Sequence, residues 1–84
     1  MEVELKNLGT INQNEVVLTN SEGKKLHLYF SYATIVGVNN FTAINEWSNT
    51  TGKLLNKLNP RKKERIPHSE LLKIVETELA KIIK

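Results

Sequence analysis

Along the first half of the chain apolar and polar residues alternate, and after Trp47 the period lengthens to that of a helix. Val3 and Leu5 alternate with Glu2, Glu4 and Lys6, the pattern of a half-buried strand, until Gly9 and the polar stretch Asn12 to Asn14 break it. A second strand is expected at about Glu15 to Thr19. Asn20-Ser21-Glu22-Gly23 has the chemistry of a short hairpin loop, with Gly23 suited to a positive φ. The return strand is "LHLYFSY", in which Leu26, Leu28, Phe30 and Tyr32 share one face and His27, Tyr29 and Ser31 the other. The run Thr34 to Val38 and the segment "FTAINEW" flank Asn39-Asn40, a pair that tolerates the left-handed conformations of a type I′ turn. These signals predict four to five short antiparallel strands in sequence order, a meander.

Beyond Trp47, the hydroxyl and amide side chains of Ser48 to Thr51 are suited to N-capping and precede Leu54, Leu55 and Leu58 at helical spacing. A helix of two to three turns is predicted, ending at Asn59-Pro60 because the residue before proline avoids the α region. "PRKKERIP" reads as a connection. A final helix follows, capped by His68 or Ser69, with Leu71, Leu72, Val75, Leu79, Ile82 and Ile83 as an apolar stripe and Lys73, Thr77 and Lys84 opposite. Glu78 falls at the edge of that stripe, where it needs an ion-pair partner or marks a second contact surface. The stripe should lie on the Leu26, Leu28, Phe30 and Tyr32 face of the sheet. The expected fold is therefore α+β, a single domain over residues 1–84, with the C-terminal amphipathic helix packed on one face of the meander.

At 84 residues the chain has room for one small core. It has no cysteine, which excludes disulfides, thiolate metal sites and cysteine nucleophiles. The start "MEVELKNLG" lacks the basic residues and continuous apolar run of a signal peptide, and no stretch approaches the roughly eighteen apolar residues of a membrane span. A cytoplasmic protein that does not enter the membrane is expected. The triplets at Asn40 and Asn49 then have no glycosylation role. An open meander edge and a broad helix stripe favour a homodimer.

The positive charge is localised. Six of the twelve cations, Lys53, Lys57, Arg61, Lys62, Lys63 and Arg65, stand against Glu64 alone, so the remainder of the chain is net acidic. Such a segment can engage a phosphate backbone by releasing its condensed counterions, and it can equally be a solvated loop or a contact for an acidic protein. Thr50-Thr51-Gly52-Lys53 has the composition of a phosphate loop but not its order, so a plain helix start is the expectation, with Gly52 marking close backbone packing, against Trp47 for instance. His27, Tyr29 and Ser31 offer hydrogen-bonding groups and an aromatic surface, or are simply the polar side of a sheet. Same-face neighbours on a strand stand about 6.5–7 Å apart, and no Asp or Cys completes a catalytic set. His68 is a cap rather than a ligand, Trp47 a core plug, and no metal or cofactor is expected.

The residues His27 to Tyr32, Thr34 and Val36, followed by Trp47, Ser48, Thr50 to Lys53, Leu55 and Asn56, resemble the signature H-L-Y-F-S-Y-x-T-x-V … W-S-x-T-T-G-K-x-L-N. It belongs to a family of small, functionally uncharacterised proteins carried by phages, archaeal viruses and plasmids or by their hosts. Two departures stand out: Ile35 and then Gly37-Val38 replace a frequent Pro before the Val and a Phe or similar residue soon after it, and Leu54 stands where many members carry His. The resemblance implies a mobile-element setting without a mechanism. Two functions follow as expectations. One is a non-enzymatic protein contacting nucleic acid through the six cations from Lys53 to Arg65. The other is a modulator of a host protein, such as an anti-defence protein, working through His27, Tyr29 and Ser31.

Overall fold

A computed structural model describes residues 1–9 and 12–83; Lys84 lies outside that range. Five strands form one antiparallel sheet in sequence order: β1 Glu2–Asn7, β2 Gln13–Thr19, β3 Lys25–Ser31, β4 Thr34–Val38 and β5 Phe41–Thr42. Two helices follow, α1 Asn49–Leu58 and α2 His68–Ile83, separated by one turn of 3-10 helix at Lys62–Glu64. The meander is therefore as the alternation predicts. In the β2–β3 loop the Asn20 carboxamide oxygen accepts from the amides of Glu22 and Lys24, and Gly23 takes φ +84°.

The β3–β4 hairpin departs from simple alternation twice. Ser31 pairs with Thr34, so Tyr32 falls in a two-residue turn at φ +56° and is 62% exposed rather than a core residue. The ladder then skips one residue: Phe30 faces Ile35, but Tyr29 faces Gly37. Val36 is the extra residue of a bulge, and two residues opposite one reverse the parity of the strand. Consequently Ile35 and Val38 join one side of the sheet, while Val36 joins the other. At the next turn only Asn39 is left-handed, at φ +50°, and its side chain accepts from the His27 amide at 3.0 Å.

Both faces of the sheet are covered, not one. Leu26, Leu28 and Val38 pack beneath Leu71, Val75 and Ile82 of α2, with Phe30, Ile35, Ile66 and Leu79 around them. On the opposite side Leu54 and Leu55 of α1 close over Val36, flanked by Leu8, Tyr29 and Leu58. A second, smaller core exists because the α1 stripe needs an apolar partner, and Val36, on the opposite face from Ile35, supplies it, while the bulge returns Val38 to the α2 side.

The Ser31 side chain thereby changes its environment. It lies on the outer face as its parity requires, yet it is 3% exposed and its hydroxyl bonds that of Thr51 at 2.8 Å. Gln13 reinforces the junction by donating to the Thr50 carbonyl at 3.1 Å.

His68 does not cap α2 with its side chain. Its Nε2 reaches the Ile35 carbonyl at 3.0 Å, and the Pro67 carbonyl accepts from the Glu70 and Leu71 amides. Trp47 is 38% exposed and meets the His68 ring edge-on at 5.1 Å, so it is not a core plug. The reason is local: Asn45 accepts from the Trp47 amide and donates to the Ser48 carbonyl, turning the loop outward. Glu78 pairs with Lys81 at 3.4 Å, which accounts for an acid at the stripe edge.

The two sheet edges differ. Ala43 bridges Ile66 in parallel, with Ile44 donating to the Ile66 carbonyl and Ile66 to that of Thr42, so the chain beyond β5 is paired on its outer side. β1 forms the opposite edge, where Val3 and Leu5 are 68% and 67% exposed.

Candidate functional site

Ser48 caps α1 from extended backbone, its hydroxyl accepting from the Thr51 amide at 3.3 Å. Because Leu54 and Leu55 are driven into the second core, the side of the helix carrying Asn49, Gly52, Lys53 and Asn56 is turned away from it. That side forms the floor of an open groove of about 610 Å³ whose walls are Ile44 and Asn45 on one flank and Lys62 and Arg65 on the other. Gly52 permits the approach of the first wall, since a Cβ there would stand 2.9 Å from Asn45 Nδ2. Close packing at Gly52 is thus real, but its partner is Asn45 and not Trp47.

Arg65 fixes the second wall. Its Nη2 donates to Asn56 Oδ1 at 2.8 Å and to the Asn59 carbonyl at 3.0 Å, tying the connection to the end of α1. Its Nε is buried and has no acceptor among the described residues.

Of the six clustered cations the fold brings Lys53, Lys62 and Arg65 into this groove. Lys57 and Lys63 are exposed outside its lining. Arg61 lines a different hollow with Tyr29, Asn39 and Asn40, and is paired with Glu64 at 3.3 Å. The three asparagines of the groove were not indicated by charge. Spacing along the polar side of α1 would have found Asn49 and Asn56 beside Lys53, whereas Asn45 arrives only through the folded contact at Gly52.

The His27, Tyr29 and Ser31 row is divided. Ser31 is covered by α1, and the other two turn to Glu15, which faces Tyr29 across β2 and β3. His27 Nδ1 lies 2.7 Å from Glu15 Oε2, and Tyr29 stands directly across the ladder from the same residue. Burial, and then the charge of Glu15, hold the Tyr29 phenol above its ordinary 10.0. The folded state keeps that proton longer than the unfolded chain does. Stability from this phenol is complete below pH about 10 and is lost as pH rises through the higher folded value. Urea midpoints measured against pH should fall more steeply on the alkaline side in the natural protein than in Tyr29→Phe.

No cluster of three His or Glu side chains suited to a metal occurs among the described residues, and no helix among them is long and apolar enough to cross a membrane. A family model matches residues 3–73, from β1 into the first turns of α2. The chain belongs to DUF8033, a family of unknown function. The DUF8033 region contains every residue of the groove and both cores' sheet residues. Comparisons with the curated proteins and with the solved structures gave no significant match.

Proposed function

We propose that this DUF8033 protein is a non-enzymatic module that binds nucleic acid in the groove between α1 and the Lys62 to Arg65 segment. The observation that carries this reading is the convergence of Lys53, Lys62 and Arg65, from two separate elements, on one open groove floored by asparagine amides. Three cations at one groove can replace counterions along a phosphate backbone. Asn45, Asn49 and Asn56 carry both donors and acceptors suited to sugars and base edges. Lys57 and Lys63 extend the positive field beyond the groove, while Arg61 contributes less because Glu64 neutralises it. The resemblance of the His27 to Val36 and Trp47 to Asn56 stretches to proteins of phages and plasmids favours a mobile-element role in the host cytoplasm. The alternative host-protein surface has less support, since Ser31 is withdrawn into the junction with α1.

Fluorescence anisotropy with labelled single- and double-stranded DNA and RNA, at about 50 and about 200 mM salt, tests this. Saturable binding should weaken roughly 20- to 40-fold across that range for three phosphate contacts, and Lys53→Ala/Lys62→Ala should lower affinity about 100-fold at the lower salt and flatten the salt dependence. Absence of binding to all four nucleic acids, or equal binding by the double variant, would overturn the reading.

A further inference from the structure

The edge formed by β1 is built to pair. The Leu8 amide donates to the Gln13 carbonyl at 2.9 Å, and Leu8 continues the register in which Lys6 faces Glu15 and Glu4 faces Val17. Antiparallel ladders alternate, so the even residues exchange bonds with β2, and Val3 and Leu5 direct their backbone N–H and C=O outward. The same two side chains lie on the α2 side of the sheet, in rows with Leu18 and Leu26 and with Val16 and Leu28. α2, however, lies over β3 and β4. Outward backbone groups and uncovered apolar side chains therefore coincide on one strand.

We propose that β1 pairs antiparallel with β1 of a second copy, with the two-fold axis at Leu5. Charge selects the occupant and the register. With the axis at Leu5, Glu4 faces Lys6 of the second copy on both sides of the axis, Leu5 faces Leu5, and Val3 faces Asn7. Centring the pair on Glu4 instead sets two carboxylates opposite each other. The Glu4–Lys6 pair within one chain is 3.3 Å long and exposed at both ends, so either partner is free to turn to the neighbouring chain. Charges that guard a sheet edge against indiscriminate pairing thus leave one register open. The outward groups of Leu5 match, because the two Leu5 residues then form a pair that exchanges both backbone hydrogen bonds. The groove lies on α1 and is independent of this edge, so dimerisation and nucleic-acid binding are separable.

The absence of cysteine makes the test direct. Sedimentation equilibrium of the natural chain should give a dimer. Leu5→Cys should cross-link to itself on mild oxidation, since Cα atoms of such a pair lie about 5.5 Å apart, within disulfide reach. Val3→Cys should not, because its counterpart is displaced about 13 Å along the strand. Glu4→Lys should weaken the dimer and Glu4→Lys/Lys6→Glu restore it, with circular dichroism confirming the fold of each. A monomer throughout, or cross-linking of a Val3→Cys and Leu5→Cys mixture in preference to Leu5→Cys alone, would overturn the assignment.

Discussion

Leu55→Ala should lower the unfolding free energy by about 2–5 kcal/mol, the range for emptying a fully buried leucine site. Leu55, with Leu54, joins α1 to Val36 in a core whose other members among the described residues are half-buried. Neighbours so few cannot collapse into the space, because Val36 is fixed in the sheet and the first turn of α1 is tied to Ser31 and Gln13. Small domains have little stability to lose, roughly 5–15 kcal/mol at most, so the variant should unfold at a markedly lower urea concentration. The far side of the sheet has its own core under α2 and should hold its structure longest. Circular dichroism with urea measures the loss; a change below about 1 kcal/mol would mean that α1 contributes little packing.

Arg65→Ala is expected to act on stability and on the groove together. The guanidinium serves two acceptors, Asn56 Oδ1 and the Asn59 carbonyl, and hydrogen bonds from a charged donor are worth about 1.5–3 kcal/mol where they are shielded and less at this partly exposed position. Losing them frees the wall that carries Lys62. Arg65→Lys separates charge from geometry. An ammonium keeps the positive charge but not the planar fork that holds both acceptors at once. If the groove needs its wall held in place, Arg65→Lys should bind nucleic acid nearly as poorly as Arg65→Ala in the anisotropy titration. Binding equal to that of the natural chain would show that charge alone suffices.

These residues also show where local pattern informs and where it stops. Alternation identifies β1 to β4 because the period of a strand is imposed by its own backbone, and Leu54, Leu55 and Leu58 reveal α1 for the same reason. The misplacement of Tyr32 has a different origin. Its side-chain class suits the core row, but the pairing of Ser31 with Thr34 decides where the turn falls, and pairing is a property of two strands. The bulge at Val36 is likewise invisible in one strand's pattern. Alternation places Ser31 on the outer face, where it lies, yet nothing local says that a helix will cover that face. The cations Lys53 to Arg65 are contiguous in sequence but divide in space, because the connection turns at Lys62–Glu64 and sends Arg61 and Arg65 to different hollows. The position of Trp47, where sheet gives way to helix, suggests a core plug, while the Asn45 turn sets its place outside the core.

The bridge between Ala43 and Ile66 has a thermodynamic meaning beyond sealing the sheet. The chain from Ile44 to Arg65, including α1 and the groove, leaves the ladder and rejoins it at this one backbone bridge, as through a neck, while α1 packs back over Val36. Ile44 and Asn45 stand just past one side of that neck, and Arg65 just before the other. A ligand spanning the groove therefore holds both sides together, and the free energy of binding adds to that of closing the lobe. By the same linkage, whatever loosens the neck weakens the grip on the ligand, even at residues the ligand never touches.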